Sequence, residues 1–248
     1  MHPLNKLLRH VGLQVNKLRP NLPRSFKKTY AETYQKICAS QERFAYITRE
    51  PYCDIGDHPQ TYLDFECTFA ANSIAELEPE ALLDIGSNRH FISGILACRK
   101  LTTIDVRDRK VGCSNETVVV SDAKDLQFPD ASFDGVLMLC ALEHFGLGRY
   151  GDELDHLGDV KAIDEIKRVL KPGGCLILSI PMTGDKPFIA FNAHRVYSHG
   201  LFSEMCSPLQ LHCESFYLIE ESRAGHQEEL TRKRGGWDVY CGCWRKPA

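Results

Sequence analysis

The chain has 248 residues, 43% of them apolar, and a formal net charge of -3. That length and composition suit one main α/β domain with an extension, and the near-balanced charge gives no electrostatic ground for a nucleic-acid partner. No apolar run approaches the ~20 residues that cross a bilayer, which speaks against an integral membrane protein.

The first 31 residues contain no acid, while Lys6, Arg9, Lys17, Arg19, Arg24, Lys27 and Lys28 are basic and Leu4, Leu7, Leu8, Val11, Val15 and Leu18 recur at helical spacing. Gly12 interrupts this pattern and Pro20 and Pro23 end it. Three readings stand side by side: a cap helix packed on the domain, a helix lying on a membrane surface as a peripheral contact, and an organelle transit peptide. We place residues 1–57 in a basic helical extension and 58–248 in the main domain. Residues 24–80 read as mostly helical, with Leu63, Phe69, Ala70, Ile74 and Leu77 as the apolar face before Pro79.

From there strands and helices alternate: strand 81–86, helix 90–99, strands 101–106, 117–122 and 133–142, helix 159–170, strand 175–181. Such alternation predicts a parallel sheet covered on both faces, Rossmann-like in architecture. Ala162, Ile163, Ile166, Val169 and Leu170 form one stripe, and "KPGG" stops that helix. Residues 182–214 break the alternation. "SFYLIEES" and "WDVYCGCWRK" then read as two strands paired antiparallel at the sheet edge, joined by a polar, Gly-rich linker.

In this architecture a ligand lies outside the carboxyl ends of the strands, where the strand order reverses. The first strand ends "LLDIGSNRHF". Gly86 permits a sharp turn and close approach of the ligand, but the second and third glycines of a dinucleotide fingerprint are missing. Asp105 stands 19 positions on, where an acid accepts hydrogen bonds from ribose hydroxyls, and Asp122 ends the next strand, where it accepts from an exocyclic adenine amine. Asp84, Asp105 and Asp122 together make a poor seat for a diphosphate and a good one for a cationic sulfonium nucleoside.

"LLDIGS", "TIDV", "SDAKDLQFPDASFDGVLMLCALEHFG" and "EIKRVLKPGGCLILSIP" stand in an order and spacing that resemble the class I S-adenosylmethionine-dependent methyltransferases. The resemblance implies a seven-stranded sheet with an antiparallel last strand, and S-adenosylmethionine across the strand ends. By position it puts Asp84 and Gly86 at the methionine end, Asp105 at the ribose, and Asp122 with Ala123 at the adenine; Ser87, Asn88, Val106 and Cys140 flank the same cofactor. Asn88 stands where many members have glycine. "EHFGLGRYGD" with "FNAHRVYS" is similar to a subgroup of methyltransferase-like proteins, and "LLRHVGLQVNKLRP" to the start of methyltransferases of surface-polysaccharide synthesis, which implies a sugar or glycan-intermediate acceptor.

Methyl transfer to a hydroxyl needs orientation and a base. His144, after the fourth strand, is the expected base, since the unperturbed histidine pKa suits proton removal; the alternative is a histidine that fixes its loop or stacks on the adenosine. Arg149 and Tyr150 lie on the glycine-rich loop and Asn192, His194, Arg195 and Tyr197 in the irregular segment, as an acceptor pocket or as a structural hydrogen-bond cluster; Arg195 suits an anionic acceptor group. His144, His194 and Asp152 lack metal-ligand spacing. The eleven cysteines are scattered without a CxxC pair, so reduced thiols and a cytosolic setting are expected. An NAD(P)-dependent oxidoreductase is weakened by the missing glycines and by the lack of a Tyr-x-x-x-Lys pair; a catalytically silent nucleoside-binding module remains the other alternative.

Overall fold

The computed structural model describes residues 24–40, 43–47, 61–110 and 112–248. The basic arm of residues 1–23, with its three readings, lies outside them. The chain divides into two compact units, Met1–Pro59 and Gln60–Ala248. In the first, α1 spans Arg24–Ser40.

In the second unit, Thr61 opens α2 (Tyr62–Leu77) with a capping box: its hydroxyl accepts from the Asp64 amide, and Asp64 accepts from the Thr61 amide. The helix buries Glu66, Ala70, Ser73 and Ile74, whereas Leu63 is exposed. The apolar face expected there is therefore only partly the packed one, and a carboxyl occupies its inner side.

Ten strands follow: β1 (Leu82–Ile85), β2 (Leu101–Asp105), β3 (Glu116–Val120), β4 (Phe133–Leu139), β5 (Leu170–Met182), β6 (Phe188–Ala190), β7 (His194–Val196), β8 (Gln210–Leu218), β9 (Arg223–Gly225) and β10 (Asp238–Arg245). Eight form one sheet in the order β3-β2-β1-β4-β5-β10-β8-β9, and β6 and β7 make a separate hairpin. β3 to β5 pair in parallel, and the last strand, β10, runs antiparallel between β5 and β8. The expected terminal pair thus exists, but β10 is interior, and β8 with the three-residue β9 forms the edge. The strand beyond the expected seven is β9, from the linker read as polar and Gly-rich.

The fully buried runs of β1, β4 and β5 are explained by cover on both faces. Helix α3 (Arg89–Leu96) and α2 pack on one side, where Ile92 and Leu96 join Leu82, Leu101 and Ile177. On the other, α4 (Gly158–Val169) inserts Ala162, Ile163 and Ile166 beside Leu176 and Leu178, together with Phe202 of α5 (His199–Cys206). The chain returns from the edge strand β3 to the other side of β1, so strand order reverses between β1 and β4. That reversal positions the site.

Candidate active site

The strand ends at the reversal open into a cleft of about 630 Å³, part of it solvent. At the end of β1 the chain turns at Gly86, whose φ of +70° lies in the left-handed region; a Cβ there would stand 3.3 Å from the Ala141 Cβ. Gly86, Asp105, Val106, Asp122, Ala123 and Cys140 all line this cleft.

Asp84, Ser87 and Asn88 instead shape the turn. Asp84 is buried and accepts from the Ser87 amide at 3.3 Å; burial pushes its carboxyl up to about 7, opposed by the Ser87 bonds and by Arg109 and Arg89. Ser87 Oγ accepts from the Leu139 amide at 3.0 Å, tying the turn to β4. Asn88 caps α3, its side-chain oxygen accepting from the His90 amide at 3.0 Å, which accounts for a non-glycine residue at that position.

Asp105 at the end of β2 is held by Arg107, which also holds its carboxyl below the usual carboxylate range. Asp122 accepts from the Lys124 amide at 2.9 Å, and Lys124 Nζ lies 3.4 Å from its other oxygen. Tyr150 reaches the cleft from the glycine-rich loop, with the Arg107 guanidinium 4.7 Å and the Arg149 guanidinium 5.4 Å from its ring centroid.

His144 lines the cleft from the 3-10 turn Leu142–His144. Its Nδ1 lies 2.6 Å from the Ala193 carbonyl oxygen. Arg149 Nη1, a donor, lies 3.3 Å from the same nitrogen and donates to the same carbonyl at 3.1 Å; the carbonyl, which only accepts, is the shorter contact, and it assigns the hydrogen to Nδ1 and leaves Nε2 as an acceptor. Burial lowers its pKa to about 4. The ordinary histidine pKa expected from sequence is thereby corrected: this imidazole is neutral at physiological pH and a weak base.

The "FNAHRVYS" residues separate. His194 stands edge-on to His144, centroids 6.5 Å apart, and to Trp237 at 5.7 Å; Asn192 is exposed. Arg195 and Tyr197 face inward and line no part of the cleft. Arg195 Nη1 donates to the Phe145 carbonyl at 2.6 Å, Nη2 to the carbonyls of Asp155 and His156 at 3.3 Å, and Nε lies 3.5 Å from Asp159 Oδ2. The Tyr197 hydroxyl donates to the same Asp159 oxygen at 3.0 Å. The expectation that Arg195 holds an anionic acceptor, with Tyr197 beside it, is corrected: the hairpin turns both toward α4, where they satisfy buried backbone and carboxylate groups.

Two acids missed from sequence sit beside the cleft. Glu66 Oε2 accepts from Ser179 Oγ at 2.5 Å and from the Cys140 thiol at 3.0 Å; burial raises its pKa against those bonds. Glu143 is buried and its Oε2 has no hydrogen-bond partner among the described residues; burial pushes its carboxyl up to about 8, opposed by its own backbone amide and by Arg149, with Glu66 adding to the rise. The acid adjoining His144 in "EHFG" was the available signal.

The Burkholderia thailandensis 1,6-didemethyltoxoflavin-N1-methyltransferase, solved with 1,6-didemethyltoxoflavin and S-adenosylhomocysteine, is similar in fold, with a TM-score of 0.53, 12% identity and 94% of each chain covered. The N-methyltransferase NodS from Bradyrhizobium japonicum WM9, in complex with S-adenosylhomocysteine, gives 0.52 at 16% identity over 75% of this chain and 88% of that one. The cyclase SpnF gives 0.52 at 17%, over 72% and 80%. The shared feature is the fold, a mixed α/β architecture with a large, mostly parallel sheet like that of the Rossmann-like methyltransferases. No curated protein matches. A family profile matches residues 80–212, more than half of the chain, and the chain belongs to that family, described as "Caenorhabditis protein of unknown function, DUF268".

Proposed function

We propose that this protein transfers a methyl group from S-adenosylmethionine to a small-molecule acceptor. The observation that carries the reading is the opening of Gly86, Asp105 and Asp122, from the ends of β1, β2 and β3, into one cleft at the strand-order reversal. Asp105 would accept from ribose hydroxyls and Asp122 from the adenine amine, with Val106, Ala123 and Cys140 as walls. Asp84, Ser87 and Asn88 would act through the shape of the methionine-end turn. S-adenosylhomocysteine in two proteins of the same fold supports this choice of nucleoside. His144 and Tyr150 stand on the acceptor side, with Arg149 and His194 behind them. A sugar or glycan intermediate is the acceptor skeleton suggested by the resemblance of the opening segment.

The test is calorimetric titration of the full chain with S-adenosylhomocysteine and with NADH. Saturable binding of the first and none of the second is expected; the reverse would make the protein an oxidoreductase candidate.

A further inference from the structure

The hydrogen-bonding inventory beside the cleft is one-sided. His144 Nε2 is an acceptor, since Nδ1 is committed to the Ala193 carbonyl. Glu143 Oε1 stands 3.7 Å from that nitrogen, and Glu143 Oε2 is buried without a partner among the described residues. Glu143 Oε2 and His144 Nε2 thus stand close together with no donor among the described residues beyond the proton the buried carboxyl itself retains, a costly arrangement unless an incoming group supplies hydrogens and a counter-charge. A hydroxyl brings one hydrogen and no counter-charge. An amine brings two or three. Edge-on rings continue away from His144: His194, then Trp237 at 5.7 Å, then Tyr62 at 6.4 Å. Rings beside a carboxyl favour an ammonium group, through their negative faces and its charge together.

We propose that the methyl acceptor is a nitrogen, an amine that donates to His144 Nε2 and the Glu143 carboxyl with its substituents toward His194 and Trp237. This rests on the methyltransferase reading above. On docking, the ammonium form of the acceptor displaces into solvent the proton that the buried Glu143 carboxyl holds at rest and gives it one of its own, which frees the nitrogen lone pair. That pair forms the C–N bond to the methyl carbon of S-adenosylmethionine as the C–S bond breaks, and the C–S electrons remain on sulfur. S-adenosylhomocysteine and a methylated ammonium result, and Glu143 is left protonated as it began. The raised proton affinity of this buried carboxyl fits it to hold the proton meanwhile.

The experiment gives the full chain S-adenosylmethionine labelled in its methyl group, with the small-molecule fraction of a cell extract and with the matched probes 2-phenylethylamine and 2-phenylethanol. S-adenosylhomocysteine binding is measured in parallel. The expected result is labelled product retained on a cation exchanger at acidic pH, with the amine probe competing and the alcohol not. Glu143→Gln should lower transfer at least a hundredfold and Trp237→Leu should raise the Michaelis constant of the amine product's precursor at least fivefold, each binding S-adenosylhomocysteine within twofold of the parent. Label in neutral or anionic products, no label at all, or Glu143→Gln working at the parental rate overturns the amine assignment while leaving cofactor binding intact. Failure to bind S-adenosylhomocysteine removes the methyltransferase reading itself and the proposal with it.

Discussion

Arg107 grips both oxygens of Asp105, Nε to Oδ1 at 2.9 Å and Nη2 to Oδ2 at 2.8 Å, while lying over the Tyr150 ring 4.7 Å from its centroid. One side chain therefore links the end of β2 to the glycine-rich loop at the mouth of the cleft. Ribose hydroxyls arriving at Asp105 compete with that guanidinium, so part of the gain from the new hydrogen bonds offsets loss of the old ones. Asp105→Ala should weaken S-adenosylhomocysteine by about 1.5 kcal/mol, the low end for hydrogen bonds to a charged group. Arg107→Ala, with the competitor gone, should tighten it severalfold. Titration calorimetry reads both, and weaker binding by Arg107→Ala would mean that the arginine holds the ligand rather than competing with it.

Arg195 is expected to matter for stability. Removing its guanidinium takes a donor from three backbone carbonyls, of which that of Asp155 keeps the Gly158 amide, and leaves Asp159 with the Tyr197 hydroxyl. Losing one partner of a buried charged network costs about 3 kcal/mol, so Arg195→Ala should melt roughly 6–12 °C below the parent for a domain of this size. Arg195→Lys, without the planar fork, should recover little. An Arg195→Ala variant as stable as the parent but poorer in acceptor binding would restore the role first read from sequence.

The same contrast shows what the sequence carries. Acids closing apolar strands are local features: "LLDIG", "TIDV" and "VVVSDA" put Asp84, Asp105 and Asp122 at strand ends by periodicity alone. The inward set depends on distant packing. Glu66 reaches Ser179 across 113 positions and Cys140 across 74 because α2 lies over β4 and β5, and nothing near "YLDFECTF" announces a buried carboxyl. Arg195 and Tyr197 look like polar loop residues until the β6–β7 hairpin turns them onto α4. β9 escaped because three residues in a polar linker hold too little pattern to separate a strand from a turn.

Gly86 is the position where the turn tolerates least. An alanine would keep φ near +70°, which costs an L-residue about 1–2 kcal/mol, and would put its Cβ 3.3 Å from Ala141 on the cleft wall. Gly86→Ala should lose about that much stability and bind S-adenosylhomocysteine at least tenfold more weakly. Denaturant titration and calorimetry check the two parts separately, and unchanged affinity in the folded variant would place the ligand away from this turn.

The buried acids and His144 pull stability in opposite directions with pH. Glu143 and Asp84 have native pKa values raised to about 8 and about 7, so between the unfolded carboxyl range and those values the native state binds more protons than the unfolded chain. Their contribution is full below the unfolded pKa and is lost as pH rises through the native one. His144, lowered to about 4, contributes fully above the unfolded histidine pKa and loses stability as pH falls toward 4. The imidazole, still half protonated in the unfolded chain at pH 6.5, and Asp84 are both present in parent and variant, so comparison with a single variant from pH 6.5 to 8 cancels them. Over that interval Glu143 costs the parent roughly 2 kcal/mol, at about 1.36 kcal/mol per pH unit, and Glu143→Gln should not pay it. Urea midpoints at pH 6.5 and 8 should therefore converge in the variant relative to the parent. Parallel pH dependence in the two proteins would show that Glu143 is already ionised at pH 6.5 in the native state, and any inflection of methyl transfer near neutrality would then need another group, since His144 titrates too low to supply it.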